Sequence, residues 1–275
     1  MEREISEASS EQRAEASIVW LLAWSLVLPF AHPRRLLSYG LPALILLTAL
    51  TALYPSASVF APILVTSNFE PQPPQIFLSQ GPTLGVIVLI LSGLIAAFMI
   101  CIWQRDVLHR FREPIGALLT TSLGRLFEHL VASLLLAGFL LGFAALLWRT
   151  GPIGLAIGCL VLAPIYARLA FLGPIIVSLG FKDALPRARS AGRGHAIGHA
   201  LVYAILALCW YGTLFLVGQS GVMAATREQS LLPMLLADCA EVMATFFFVL
   251  WIAAVPALIV RRRIALQGID ARVFD

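Results

Sequence analysis

The chain has 275 residues, of which 60% are hydrophobic and 12% charged, with a formal net charge of +4 at pH 7. Soluble domains carry about 25% charged residues, so this composition excludes an ordinary soluble fold. A basic balance of this kind would point to a nucleic-acid partner in a soluble protein. Here the placement of the charges, given below, assigns them to membrane topology and phospholipid contact and to no nucleic acid.

The apolar runs decide the class. Six uncharged windows occur: Leu36 to Tyr54, Leu84 to Trp103, Leu130 to Trp148, Pro152 to Ala167, Ala196 to Gly218 and Val242 to Val260. A helix rises about 1.5 Å per residue, and about 20 apolar residues cross the roughly 30 Å hydrocarbon layer. The windows are continuously apolar and do not alternate, which argues for helices over a β-barrel. The sequence predicts an all-α, polytopic transmembrane bundle of six spans plus an N-terminal interfacial helix, over residues 18–264.

In chain order, residues 1–17 carry five Glu against two Arg. They read as a disordered, acidic cytoplasmic tail and not as an export signal, which needs a positive start. Ile18 to Ala31 is apolar but reaches only about 21 Å. It reads as a helix in the cytoplasmic interface, with Trp20 and Trp24 at headgroup level. As a true span it would move the N-terminus outside. Tyr54 to Gly85, with its run Pro71-Gln72-Pro73-Pro74, reads as an extended outer loop. Between Arg112 and Glu128, Ile115, Leu119, Leu123, Leu126 and Phe127 recur at helical spacing behind Pro114. That predicts an amphipathic surface helix leading into the third span. Gly138 and Gly142, with Gly154 and Gly158, form Gly-x-x-x-Gly pairs on the third and fourth spans and predict a tight hairpin. Residues 265–275 form a cytoplasmic C-terminal tail.

The basic residues fix the orientation. Arg3, Arg13, Arg34, Arg35, Arg105, Arg110, Arg112, Arg125, Lys182, Arg187, Arg189, Arg193, Arg261, Arg262, Arg263 and Arg272 fall on one side, and only Arg149 and Arg227 on the other. The positive-inside rule places both termini in the cytoplasm.

Little chemistry stands out. Cys101, Cys159, Cys209 and Cys239 are dispersed, without metal or redox spacing, and read as packing residues. His195 and His199 share a helix face but have no third ligand nearby, and read as an interfacial polar ring. Charge inside a membrane is the default pointer to function. Arg168 lies roughly 24 Å inward from the outer end of its span. It either snorkels to the cytoplasmic interface or meets a carboxylate such as Glu128 or an anionic lipid. Asp238 and Glu241 share a face at the outer boundary of the sixth span. No catalytic, cofactor-binding or metal site can be assembled, so Arg168, Glu128, Asp238 and Glu241 are the polar candidates.

At Trp103 to Glu113, "WQRDVLHRFRE", and at Tyr166 to Gly194, "YARLAFLGPIIVSLGFKDALPRARSAGRG", the chain resembles a broad group of uncharacterised bacterial inner-membrane proteins. These are similar to the membrane domain found fused to some glycerophosphodiester phosphodiesterases. The resemblance implies a six-helix bundle whose interfacial helix ends in a His-Pro-Arg-like turn, here His32-Pro33-Arg34. Arg168, Pro174, Ser190 and Gly194 match its motifs, while Gln104 stands for a His and Ala191 for a Trp. It implies no enzymatic activity, because the catalytic domain is absent. The expected role is a non-catalytic accessory or lipid-associated protein of the bacterial inner membrane. Its partners would be phospholipids, and a second membrane protein or a further copy of itself. The alternative is a small transporter or channel.

Overall fold

A computed structural model of the protein describes residues 18–53, 82–148, 165, 169–182, 184–191, 196–228 and 232–267. Among these the regular structure is entirely helical: α1 (Ile18–Ala31), α2 (Pro33–Arg35), a π-helical turn (Leu36–Gly40), α3 (Leu41–Leu53), α4 (Pro82–Leu108), α5 (Ile115–Trp148), α6 (Leu172–Leu179), α7 (Ala184–Ala191), α8 (Ala196–Glu228) and α9 (Leu232–Gln267). Three helices are long and apolar enough to cross a membrane, over Ile90–Leu108, Ile197–Leu214 and Leu236–Arg262. These are the second, fifth and sixth apolar windows. The first window is divided between the π turn and the 13-residue α3, which alone reaches only about 20 Å. The third window lies within the 34-residue α5. The fourth window, Ile165 apart, lies outside the described residues, and with it Gly154 and Gly158, as do the tails at 1–17 and 268–275.

The chain forms two compact units, and α4, α8 and α9 run through both. Of the described residues, the first holds those within 18–31, 100–204 and 251–267, and the second those within 32–53, 82–99 and 205–250. The division falls at His32, where α1 stops. Pro33 opens the next helix as its first residue, where a missing N–H is harmless, and the His32 carbonyl accepts the Arg35 and Leu36 N–H groups at 3.0 and 3.1 Å.

In the second unit the π turn puts one extra residue into a hydrogen-bonded loop, the Leu41 N–H reaching the Leu36 carbonyl. Such bulges arise where packing forbids the regular turn. Gly40 is buried there, and a methyl on it would come within 2.8 Å of Leu36 Cδ1 and 3.4 Å of Phe246. Trp210 stacks flat on Phe248 at 4.6 Å, and its indole N–H donates to Thr245 Oγ1 at 3.2 Å, so the polar tip of a large apolar side chain is matched.

In the first unit α5 packs against α6, and α6 against α7. The apolar stripe of α5 faces outward: Leu123 and Phe127 are 61% and 76% exposed. Leu118, Ser122 and His129, spaced along the opposite face, are buried. A soluble amphipathic helix does the reverse, and the inversion suits an environment of lipid. α1 is a 14-residue apolar helix. Trp20 and Trp24 lie 6.2 Å apart on it, and the Arg262 guanidinium sits 5.2 Å over the Trp20 ring.

Candidate functional site

The polar groups of the first unit concentrate where α4 ends. The Phe111 N–H donates to the Asp106 carbonyl at 2.8 Å, and the Arg110 N–H to the Val107 carbonyl at 3.3 Å. This crossed pair is a Schellman termination, in which glycine normally takes the left-handed position. Here Arg110 takes it, at φ 54°, and Phe111 follows at φ 59°. Left-handed backbone costs a non-glycine residue about 1–2 kcal/mol, so the turn must be held from outside. Phe111 packs on Trp103 at 5.8 Å. Arg105 spans the turn to Glu113, Nε to Oε2 at 2.7 Å and Nη2 to Oε1 at 2.8 Å, and its Nη1 reaches the Val177 carbonyl of α6 at 3.4 Å. Both side chains of the ion pair are nearly buried, at 10% and 13% exposed. Arg261 of α9 donates to the Val107 carbonyl at 3.3 Å, placing a cation at a helix C-terminus, where the macrodipole favours it.

One residue before Arg105, Gln104 is buried between α6 and α9. Its Nε2 donates to the Ala253 carbonyl at 3.5 Å, while Oε1 is buried with no hydrogen-bond partner among the described residues. A methyl on Gly173 would stand 2.7 Å from that oxygen, so a glycine at 173 is what makes room for the amide. Ala253 lies three residues before Pro256, which sits inside the continuous helix α9. Pro256 has no N–H, and the carbonyl four residues back, that of Ile252, loses its helical donor. The Tyr203 hydroxyl donates to that carbonyl at 3.4 Å. Tyr203 in turn packs on His199 at 4.4 Å, and His199 on Phe171 at 5.0 Å. His199 is therefore fully buried. The polar ring expected of it is instead an aromatic stack at the start of the apolar stretch Ile197–Leu214; His195 lies outside the described residues.

A second brace joins α5 to the end of α6. Glu128 accepts hydrogen bonds from Arg125 Nη1 at 3.2 and 3.3 Å and from the Phe181 N–H at 3.0 Å. Between them Gly180 has φ 83°, and a methyl there would come within 2.6 Å of Arg125 Nη1. Glycine is required for both reasons.

Of the four polar candidates, Glu128 thus has Arg125 and a backbone amide as partners. Arg168 lies outside the described residues. Asp238 and Glu241 are half-buried on α9, in the second unit, three residues apart and so on one helix face. Among the cysteines, Cys101 is buried as a packing residue should be, whereas Cys209 and Cys239 are exposed. Among the described residues no three His, Cys, Asp or Glu side chains converge as metal ligands would. The groups that do converge, Gln104, Arg105, Glu113, Tyr203, Pro256 and Arg261, were not singled out from the sequence as candidates. A signal existed in the polar run Gln104-Arg105-Asp106 closing an apolar window, and in a proline inside the sixth. Comparison of the chain with protein-family models, curated proteins and solved structures finds no match.

Proposed function

We propose that the protein is a six-span integral protein of a bacterial inner membrane, with both termini cytoplasmic, acting as a non-catalytic, lipid-associated accessory protein. The observation that carries this reading is how the charges near the helix ends of the first unit are used. Arg105 and Glu113 close a turn, Arg125 and Glu128 brace α5 against the end of α6, and Arg105 and Arg261 cap backbone carbonyls. Such charges brace helices. The surface outside them, at Leu123, Phe127, Leu134 and Leu135, is apolar and exposed, as contact with lipid tails requires.

Purification in a mild detergent, with mass spectrometry of the lipids and proteins retained, tests the role. Enrichment of anionic phospholipid above its share of the source membrane is expected, and a retained lipid pool identical to the bulk would overturn the reading. For topology, Cys at Ser67 should be labelled by an impermeant thiol reagent in spheroplasts, and Cys at Ser190 only after lysis. Labelling of Ser190 from outside would overturn the orientation.

One observation favours the alternative of a small transporter or channel, namely the half-buried Asp238 and Glu241 pair on a membrane-crossing helix. Cation flux into proteoliposomes that Asp238→Asn or Glu241→Gln abolishes would establish it; no flux above empty vesicles would remove it.

A further inference from the structure

At the turn between α4 and α5 two arginines meet, Arg110 of the turn and Arg261 of α9, for which the described residues supply no ion-pair partner. The Arg110 N–H and the Arg261 guanidinium both donate to the Val107 carbonyl, each at 3.3 Å, which brings the Arg261 charge against the stretch of backbone that carries the Arg110 side chain. Among the described residues neither arginine is seen in an ion pair: Glu113 is taken by Arg105 and Glu128 by Arg125, and the Asp106 side chain is fully buried and engaged elsewhere. The helix terminus offers only about half a negative charge, and even with the Asp106 carboxylate counted beside it the three arginines Arg110, Arg112 and Arg261 leave this end net positive. Arg112 is exposed, two residues along the same turn. The backbone holds Arg110 in a conformation that glycine would occupy without strain. Strain of this kind, held by surrounding structure, collects at ligand-binding segments.

Depth narrows the ligand. Arg110 lies just past the end of the membrane-crossing stretch Ile90–Leu108, and Arg261 at the end of Leu236–Arg262. Both guanidiniums therefore stand where a membrane's headgroups would be. Trp20, carrying the Arg262 cation above its ring, marks the same unit with a residue type enriched at that level. Guanidinium forks match phosphate oxygens in pairs.

We propose that Arg110 and Arg261 together bind the phosphate of an anionic phospholipid headgroup. This rests on the lipid-associated reading above and gives it a site.

The test uses the full chain in detergent, titrated with soluble short-chain phosphatidylglycerol, with the matching phosphatidylcholine and with inorganic phosphate. Phosphatidylglycerol should bind the wild type, and Arg110→Gln or Arg261→Gln should each weaken it about tenfold. Arg110→Lys should fall between, because it keeps the charge and loses the fork. Arg187→Gln, at an exposed arginine of α7, should change affinity less than about twofold, as an uninvolved surface charge does. Arg110→Gly separates binding from folding. It relieves the left-handed strain, so it should melt higher than wild type and yet bind no better than Arg110→Gln. Equal losses in Arg110→Gln and Arg187→Gln would overturn the site in favour of a diffuse basic surface. Inorganic phosphate binding as tightly as the lipid would overturn the lipid as its source. A wild type that retains anionic lipid on purification, with variants retaining as much, overturns only the site; a wild type retaining none overturns the broader reading as well.

Discussion

Arg105 holds Glu113 with both arms of its guanidinium, at 2.7 and 2.8 Å, across a turn that contains two left-handed non-glycine residues. The pair is nearly buried, so removing one partner strands the other charge. Glu113→Ala is expected to cost about 3 kcal/mol. Arg105→Lys should be almost as damaging, because an ammonium cannot reach both carboxylate oxygens and the Val177 carbonyl at once. Thermal unfolding in detergent checks both, and an Arg105→Lys variant as stable as wild type would show that charge alone suffices.

Tyr203 and Pro256 form a testable pair. The hydroxyl serves a carbonyl that the proline leaves without a donor. Tyr203→Phe should cost about 1 kcal/mol. In a Pro256→Ala background, residue 256 supplies the missing N–H and the same substitution should cost little. A double-mutant cycle measures this coupling; additive effects would show that the hydroxyl and the proline are independent.

Gly180 tests the brace at the end of α6. Gly180→Ala introduces a methyl at φ 83° against Arg125 Nη1, and the backbone strain alone is about 1–2 kcal/mol. Displacement of Arg125 should also loosen Glu128 from the Phe181 amide. Amide exchange at Phe181 should therefore accelerate in this variant, and an unchanged rate would dissociate the glycine from the brace.

His129 gives the protein a pH dependence. It lies one residue before the third apolar window and is buried, with Ser133 Oγ at 3.3 Å from Nδ1. Burial lowers its pKa from the ordinary 6.5 to about 4. The unfolded chain therefore takes up a proton below pH 6.5 while the folded protein stays neutral until about pH 4. Stability is full above pH 6.5 and falls as the pH drops through this window, by up to roughly 3 kcal/mol. His129→Gln should flatten the melting temperature between pH 7 and 5; a slope unchanged from wild type would assign the acid sensitivity elsewhere.

How much was legible in the sequence depended on range. The helix starting behind Pro114, the short apolar helix ending at His32 and the apolar stretches of α4, α8 and α9 were each readable, because length and periodicity are local properties. The outward direction of Leu123 and Phe127 was not, since an apolar stripe looks the same whether it meets a core or lipid. Glu128 was named as a carboxylate within reach of Arg168, which lies outside the described residues; among the described ones Arg125, one helical turn away on α5, and the Phe181 N–H hold it. The burial of His199 required Phe171 and Tyr203 to close on it from either side.

By itself, then, the sequence determined that the chain is helical and membrane-compatible, because continuous apolar runs must satisfy their own backbone hydrogen bonds wherever they sit. Only the tertiary structure decided where the polar groups go. A buried donor or acceptor takes whichever partner the fold brings within about 3 Å, and for Gln104 and Ala253, Tyr203 and Ile252, or Arg261 and Val107 that partner lies far along the chain. Apolar burial is non-directional and tolerates many neighbours, while a hydrogen bond requires one, which is why the membrane helices could be read from the residues and the site could not.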